Sequence, residues 1–122
     1  VLADKRRIKW AWHREGCGYV YVIAYDTAKI LKIGYSADYP SNTVVSVNSR
    51  FRKLVGDSQK GIMVWHNAGT LEDEVIIQAL CNKAYGAAFP SSTRVSEWVN
   101  YSDLDETLQR IQRAYEFARS YT

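Results

Sequence analysis

Residues with the types that phosphodiester chemistry demands recur along this chain at wide intervals. Tyr19 and Tyr21 stand two apart in Gly18-Tyr19-Val20-Tyr21, and Ile23 follows. Side chains alternate along a strand, so these three share one face of any strand built here. Lys32 and Gly34 share a face in the same way, and Gly34, without a side chain, lets backbone or phosphate come close. Arg50 lies beside Phe51, and an arginine's planar fork suits phosphate oxygens. Glu72, Asp73 and Glu74 form an acidic run, and Glu97 precedes Trp98. Cleaving a phosphodiester needs a base for water, a cation for the developing negative charge and help for the leaving oxygen. Each residue also has a plainer reading. The tyrosines suit a strand core, Lys32 a solvated edge, Arg50 a helix surface, and the acidic run a helix N-terminus.

The elements that must position these groups follow from periodicity. Gly18–Asp26 is rich in β-branched and aromatic residues and reads as a strand, and Ile30–Ser36 as a second. The short polar link Asp26-Thr27-Ala28-Lys29 makes the two an antiparallel hairpin, which can bring a phenol beside an ammonium in a register the sequence leaves open. Ser36–Asn42 is a loop. Val44, Val47, Phe51 and Leu54 recur at helical spacing, with Gly56 as a stop. Gly61–His66 reads as a third strand. Thr70 caps a helix with Asp73 as its capping-box partner, and Leu71, Val75, Ala79 and Leu80 are its apolar side up to about Gly86. Ala87–Val95 is a loop and Ser96–Val99 a short extended piece. Ser102 with Asp105 begins a last helix whose stripe is Leu104, Leu108, Ile111, Tyr115 and Ala118. The expected fold is α+β, a small three-stranded antiparallel sheet flanked by helices in the order β-β-α-β-α-α.

Length and charge bound the rest. A chain of 122 residues fits one domain. Its apolar runs are too short to span a membrane, and no signal peptide is visible, so an intracellular location, cytoplasmic or nuclear, is the default. The start without methionine points to a processed chain or a piece of something longer. Residues 1–16 hold five basic and two acidic residues, which accounts for the net charge of +3. Lys5, Arg6, Arg7 and Lys9 interleave there with Trp10 and Trp12, a pattern that suits a phosphate backbone and exposed bases or, as readily, a frayed terminus. The division expected is a basic aromatic arm over 1–17 and one domain over 18–122. Cys17 and Cys81 make no metal-type pair, and His13 and His66 are too few for a histidine-rich zinc site. Gly56–Gly61 has P-loop glycine spacing, but Ile62-Met63 follows in place of Lys-Ser.

The ordered segments resemble the GIY-YIG nuclease superfamily, in particular its branch of phage open reading frames and meiotically upregulated proteins. Gly18-Tyr19-Val20-Tyr21 matches the first motif, and Lys32-Ile33-Gly34 the Lys-Ile-Gly variant of the second. Arg50 with Leu54, the helix glutamate Glu74, and Glu97-Trp98 follow in order, so the likeness covers roughly residues 18–100. It implies a metal-dependent endonuclease acting on nucleic acid, DNA before RNA, with a fused or partner domain for specificity. Tyr21 would be the general base, with Tyr19 as the alternative. Lys32 stands in the slot of the second motif's tyrosine. Arg50 would hold the phosphate, with Arg52 as the competing choice and otherwise a nucleic-acid contact. Glu74 would be the ligand of one Mg2+ or Mn2+. An ammonium near the phenol favours the phenolate, so Lys32 is expected to lower the Tyr21 pKa.

The chain also departs from the superfamily. Leu54 and Gln78 occupy positions where members often carry histidine, and the usual later asparagine has no clear counterpart, Asn82 lying too close to Glu74 and Asn100 rather far from it. Two other functions therefore stand beside the nuclease: a catalytically inactive nucleic-acid-binding module with the same fold, and a protein-interaction domain using the tryptophan-rich surface.

Overall fold

The computed structural model describes residues 17–38, 40, 43–90 and 95–120. In chain order the elements are β1 (Cys17–Tyr25), β2 (Ile30–Ser36), α1 (Thr43–Val55), β3 (Ile62–Thr70), α2 (Leu71–Tyr85), β4 (Trp98–Asn100) and α3 (Leu104–Arg119). The class is α+β, as expected, but the sheet has four strands rather than three, in the order β3-β1-β2-β4 with antiparallel neighbours throughout. Cys17 belongs to β1 and not to the arm. Lys5, Arg6, Arg7 and Lys9 lie outside the described residues.

Strand alternation divides β1 between two cores. Val20, Val22 and Ala24 face one side of the sheet, packed with Ile77 and Cys81 of α2 and Ile111 and Ala114 of α3. Tyr21, Ile23 and Tyr25 face the other, packed with Val47 and Phe51 of α1 and with Trp98. Helices therefore cover both faces. Phe51 has no exposed surface, and burying such a side chain stabilises by about 1.5–3 kcal/mol. It stacks on Tyr25 with ring centroids 3.9 Å apart. Asn48 holds the same helix to the sheet, its Oδ1 accepting from the Tyr25 hydroxyl at 2.6 Å and the Gly61 amide at 3.0 Å. Gly56 ends α1 at φ +74°, a backbone conformation other residues resist.

β3 runs on to Thr70, past the expected end at His66. Asn67, Ala68 and Gly69 look like loop residues, yet they pair with Val20, Tyr19 and Gly18. Their place in the ladder overrides local propensity. β4 reads from sequence as an isolated extended piece, but its three residues pair with Ile30, Leu31 and Lys32.

The capping box at Thr70 and Asp73 forms as expected, with Thr70 N donating to Asp73 Oδ2 and Asp73 N to Thr70 Oγ1. The buried face of α2 is not the expected one, however. Leu71, Val75, Ala79 and Leu80 are exposed, while Asp73, Ile77, Gln78 and Cys81 are buried. Apolar residues lie on more than one side of this helix, so polar anchors set its rotation. Asp73 closes the cap and takes Arg119 Nη1 at 3.0 Å, and Gln78 Nε2 donates to the Ile33 carbonyl at 2.8 Å. On α3 the expected stripe faces the core, but Asp103 rather than Ser102 is the N-cap, its side chain accepting from Glu106 N. Among the described residues no helix is long and apolar enough to cross a membrane.

Candidate active site

The hairpin register decides which side chains meet. Tyr21 lies opposite Gly34, and Ile23 opposite Lys32. Cross-strand partners share a face, so Lys32 is the diagonal neighbour of Tyr21 on the α1 side of the sheet. A Cβ added at Gly34 would collide with the Tyr21 phenol and come within 2.7 Å of Lys32 Nζ. The missing side chain is the space that both polar heads occupy. Lys32 Nζ sits 5.4 Å from the Tyr21 ring centroid and 6.0 Å from that of Trp98.

Glu97 joins the cations together. Its Oε1 lies 2.5 Å from Lys32 Nζ and 3.5 Å from Arg50 Nη1. Lys32 is 3% exposed, a buried ammonium whose ion-pair partner among the described residues is Glu97. Burial lowers the Lys32 pKa; Glu97 opposes that shift, and the Arg50 charge adds to it. Burial would raise the Glu97 carboxyl, but hydrogen bonding and charge from Lys32, with Arg50 behind them, bring it below its ordinary value.

Glu74 enters from the first turn of α2. Glu72 is exposed and Asp73 is buried in the cap, so of the three acids Glu74 is the one turned toward the cluster. With Val75, Gln78, Val95 and Glu97 it lines a recess of about 300 Å3. Burial raises its pKa; Lys32 pulls it down, and Glu97 pushes it up further. A half-buried carboxyl of this kind gains from a cation beside it.

Tyr21 is 3% exposed, and burial raises its phenol above the ordinary value. The cation that opposes this shift is Arg50, while Glu74 and Glu97 raise it further. The expectation that Lys32 lowers the Tyr21 pKa is therefore corrected. The guanidinium of Arg50, rather than the Lys32 ammonium, is the cation that acts on the phenol. Tyr19, on the same face of β1, pairs with Ser36 and Ala68 further along the strand, away from Gly34. Arg52 is exposed, about 200° around α1 from Arg50, and so points away from this cluster.

Three of the four positions that bear on the departures from the resemblance, Gln78, Asn82 and Asn100, have structural roles. Gln78 is buried on the Ile33 carbonyl, and Leu54 is exposed. Asn82 grips the segment that carries Glu97. Its Nδ2 donates to the Ser96 carbonyl at 2.8 Å, and its Oδ1 accepts from the Ser96 amide at 3.0 Å. One residue further on, Ile33 N donates to the Glu97 carbonyl at 2.8 Å. Asn100 lies instead on the Gly86 and Ala87 carbonyls. The roles of Asn82 and Glu97 are hidden in the sequence because they arise between residues distant in the chain. The one visible signal is an acid directly before a strand tryptophan.

A phenol, a guanidinium, a buried ammonium and two carboxylates thus meet from four elements and the segment before β4. The described residues contain no group of three histidines, cysteines or acids able to hold a metal. What the cluster offers is Glu74, with Glu97 across the recess, an all-oxygen set. That suits a hard divalent cation keeping most of its waters. No protein-family model, no curated protein and no solved structure matches this chain.

Proposed function

We propose that this chain is a metal-dependent endonuclease of the GIY-YIG type, hydrolysing phosphodiester bonds in DNA. The observation that carries the reading is the meeting of residues scattered through the sequence: Tyr21 and Lys32 share the space left by Gly34, Arg50 joins Lys32 on Glu97, and Glu74 lines the same recess as Glu97. Arg50, half-exposed, takes a phosphate oxygen and offsets the charge that builds up in the transition state. Glu74 would hold one Mg2+ or Mn2+, which would supply Lewis acidity to the phosphate and its leaving oxygen. Tyr21 takes the proton of the attacking water. Its raised pKa leaves it protonated at neutral pH, so the phenolate must be stabilised by Arg50, the cation that acts on it. Lys32, locked on Glu97, holds that carboxylate in the recess wall rather than acting on the base.

The raised phenol pKa also favours a second reading, a catalytically inactive nucleic-acid-binding module with the same site geometry. Supercoiled plasmid and single-stranded DNA incubated with Mg2+ or Mn2+ separate the two. Cutting that chelator abolishes and Glu74→Ala removes supports the nuclease. Binding without cutting under every metal leaves the silent module.

A further inference from the structure

Away from the Tyr21 cluster, α2 and α3 pack side by side and leave a groove of about 540 Å3 on their outer surface. Its floor is Leu80, Ala84, Ala114 and Phe117, and its rim is Lys83, Arg110 and Arg113, with no acidic residue in the lining among the described residues. Leu80 and Phe117 are exposed although large and apolar. Leu80 is where α2, rotated by Asp73 and Gln78, turns its second apolar side outward, and Phe117 lies across the groove on α3. An apolar floor ringed by one sign of charge has a definite complement: apolar side chains flanked by carboxylates.

We propose that this groove docks an acidic amphipathic helix of a partner protein. The rim already takes one carboxylate in this way, Glu106 Oε2 lying 3.3 Å from Arg110 Nη2. Lys83 and Arg113 have no ion-pair partner among the described residues. From Arg110 to Phe117 the groove runs about 10 Å along α3, room for two turns of a guest helix with anchors at i and i+4. The arm over residues 1–16 is a poor occupant, since its five cations against two acids would face the same charge. The groove of a second copy is disfavoured for the same reason. Nucleic acid would satisfy the cations but leave Leu80 and Phe117 in water.

The probe is a fluorescein-labelled synthetic helix of about twelve residues, with leucines at i, i+4 and i+7 and glutamates elsewhere. Anisotropy is read on the full chain. The control is a peptide of the same composition with its leucines spread round the helix. Saturable binding of the patterned peptide is expected, weakened about tenfold or more by Phe117→Ser and by Arg113→Glu but unmoved by Lys60→Glu, a cation elsewhere. Circular dichroism confirms folding, and Leu80→Gln replaces Phe117→Ser if that variant unfolds. Equal binding of both peptides, or unchanged affinity in the groove variants, overturns the proposal. So does a single-stranded oligonucleotide whose binding falls in the same variants and which displaces the peptide. Glu74→Ala is expected to bind the peptide like the parent, so the outcome is independent of whether the chain cuts DNA.

Discussion

Glu97→Gln keeps the shape of the side chain and removes its charge, leaving Lys32 buried at 3% exposure without a counter-ion. Removing one partner of a buried ion pair costs about 3–5 kcal/mol. The Glu97 side chain is 38% exposed, so water replaces part of that interaction. The expected loss is therefore about 2–3 kcal/mol, or a fall in Tm of about 8–12 °C for a domain of this size. The deficit depends on pH in two windows. The folded-state pKa of Glu97 is below its unfolded value of 4.5, so the contribution of the carboxylate is present above pH 4.5 and is lost as pH falls through the folded value. The folded-state pKa of Lys32 is also lowered from 10.5, so the unfolded chain binds the proton more tightly. The deficit accordingly shrinks as pH rises toward that value and Lys32 sheds its charge. Urea denaturation followed by tryptophan fluorescence gives the free energies. The Lys32→Met/Glu97→Gln double variant should recover most of the loss, a coupling that a double-mutant cycle reads directly. If Glu97→Gln lies within about 0.5 kcal/mol of the parent and the cycle shows no coupling, the buried pair is not what holds Lys32.

Asn82→Ala strips both partners from the Ser96 backbone and should cost about 1–3 kcal/mol, measured by the same denaturation, together with a loss of cleavage because Glu97 is no longer held in place. Gly34→Ala drives a methyl group into the space of the Tyr21 phenol and the Lys32 ammonium. It should lower stability by about 1–3 kcal/mol in thermal melts and reduce the cleavage rate more than the DNA affinity measured in chelator. Deleting residues 1–14 removes five cations and one acid. The slope of log affinity against log salt should flatten by about 0.9 for each duplex phosphate that the arm no longer neutralises, and an unchanged line would make the arm a bystander.

Local chemistry is legible in the sequence, and long-range chemistry is not. β2 follows from its β-branched and aromatic residues between turn signals, and the end of α1 from Gly56. The Thr70–Asp73 capping box is readable because both partners lie within one turn. The fourth strand is not, since three residues carry too little periodicity and β4 exists through its pairing with β2. The rotation of α2 escapes a periodicity argument because apolar residues on two sides of a helix leave the choice to its anchors, and the Gln78 bond to Ile33 spans 45 positions. For the site, strand alternation places Tyr21 and Lys32 on the faces that meet. The partner of Lys32 depends on where the chain before β4 returns, and no local pattern gives that.

The most direct measurement is how plasmid cleavage depends on Mn2+ concentration, read for the parent, Glu74→Gln and Arg50→Ala. The prediction is a saturable rise in the parent, abolished by chelator, and a fall of about 100-fold or more at saturating metal in each variant. Far-UV circular dichroism should remain unchanged. Metal-independent cutting, or variants that cut at the parental rate, would contradict a single site in which Glu74 holds the metal and Arg50 the phosphate.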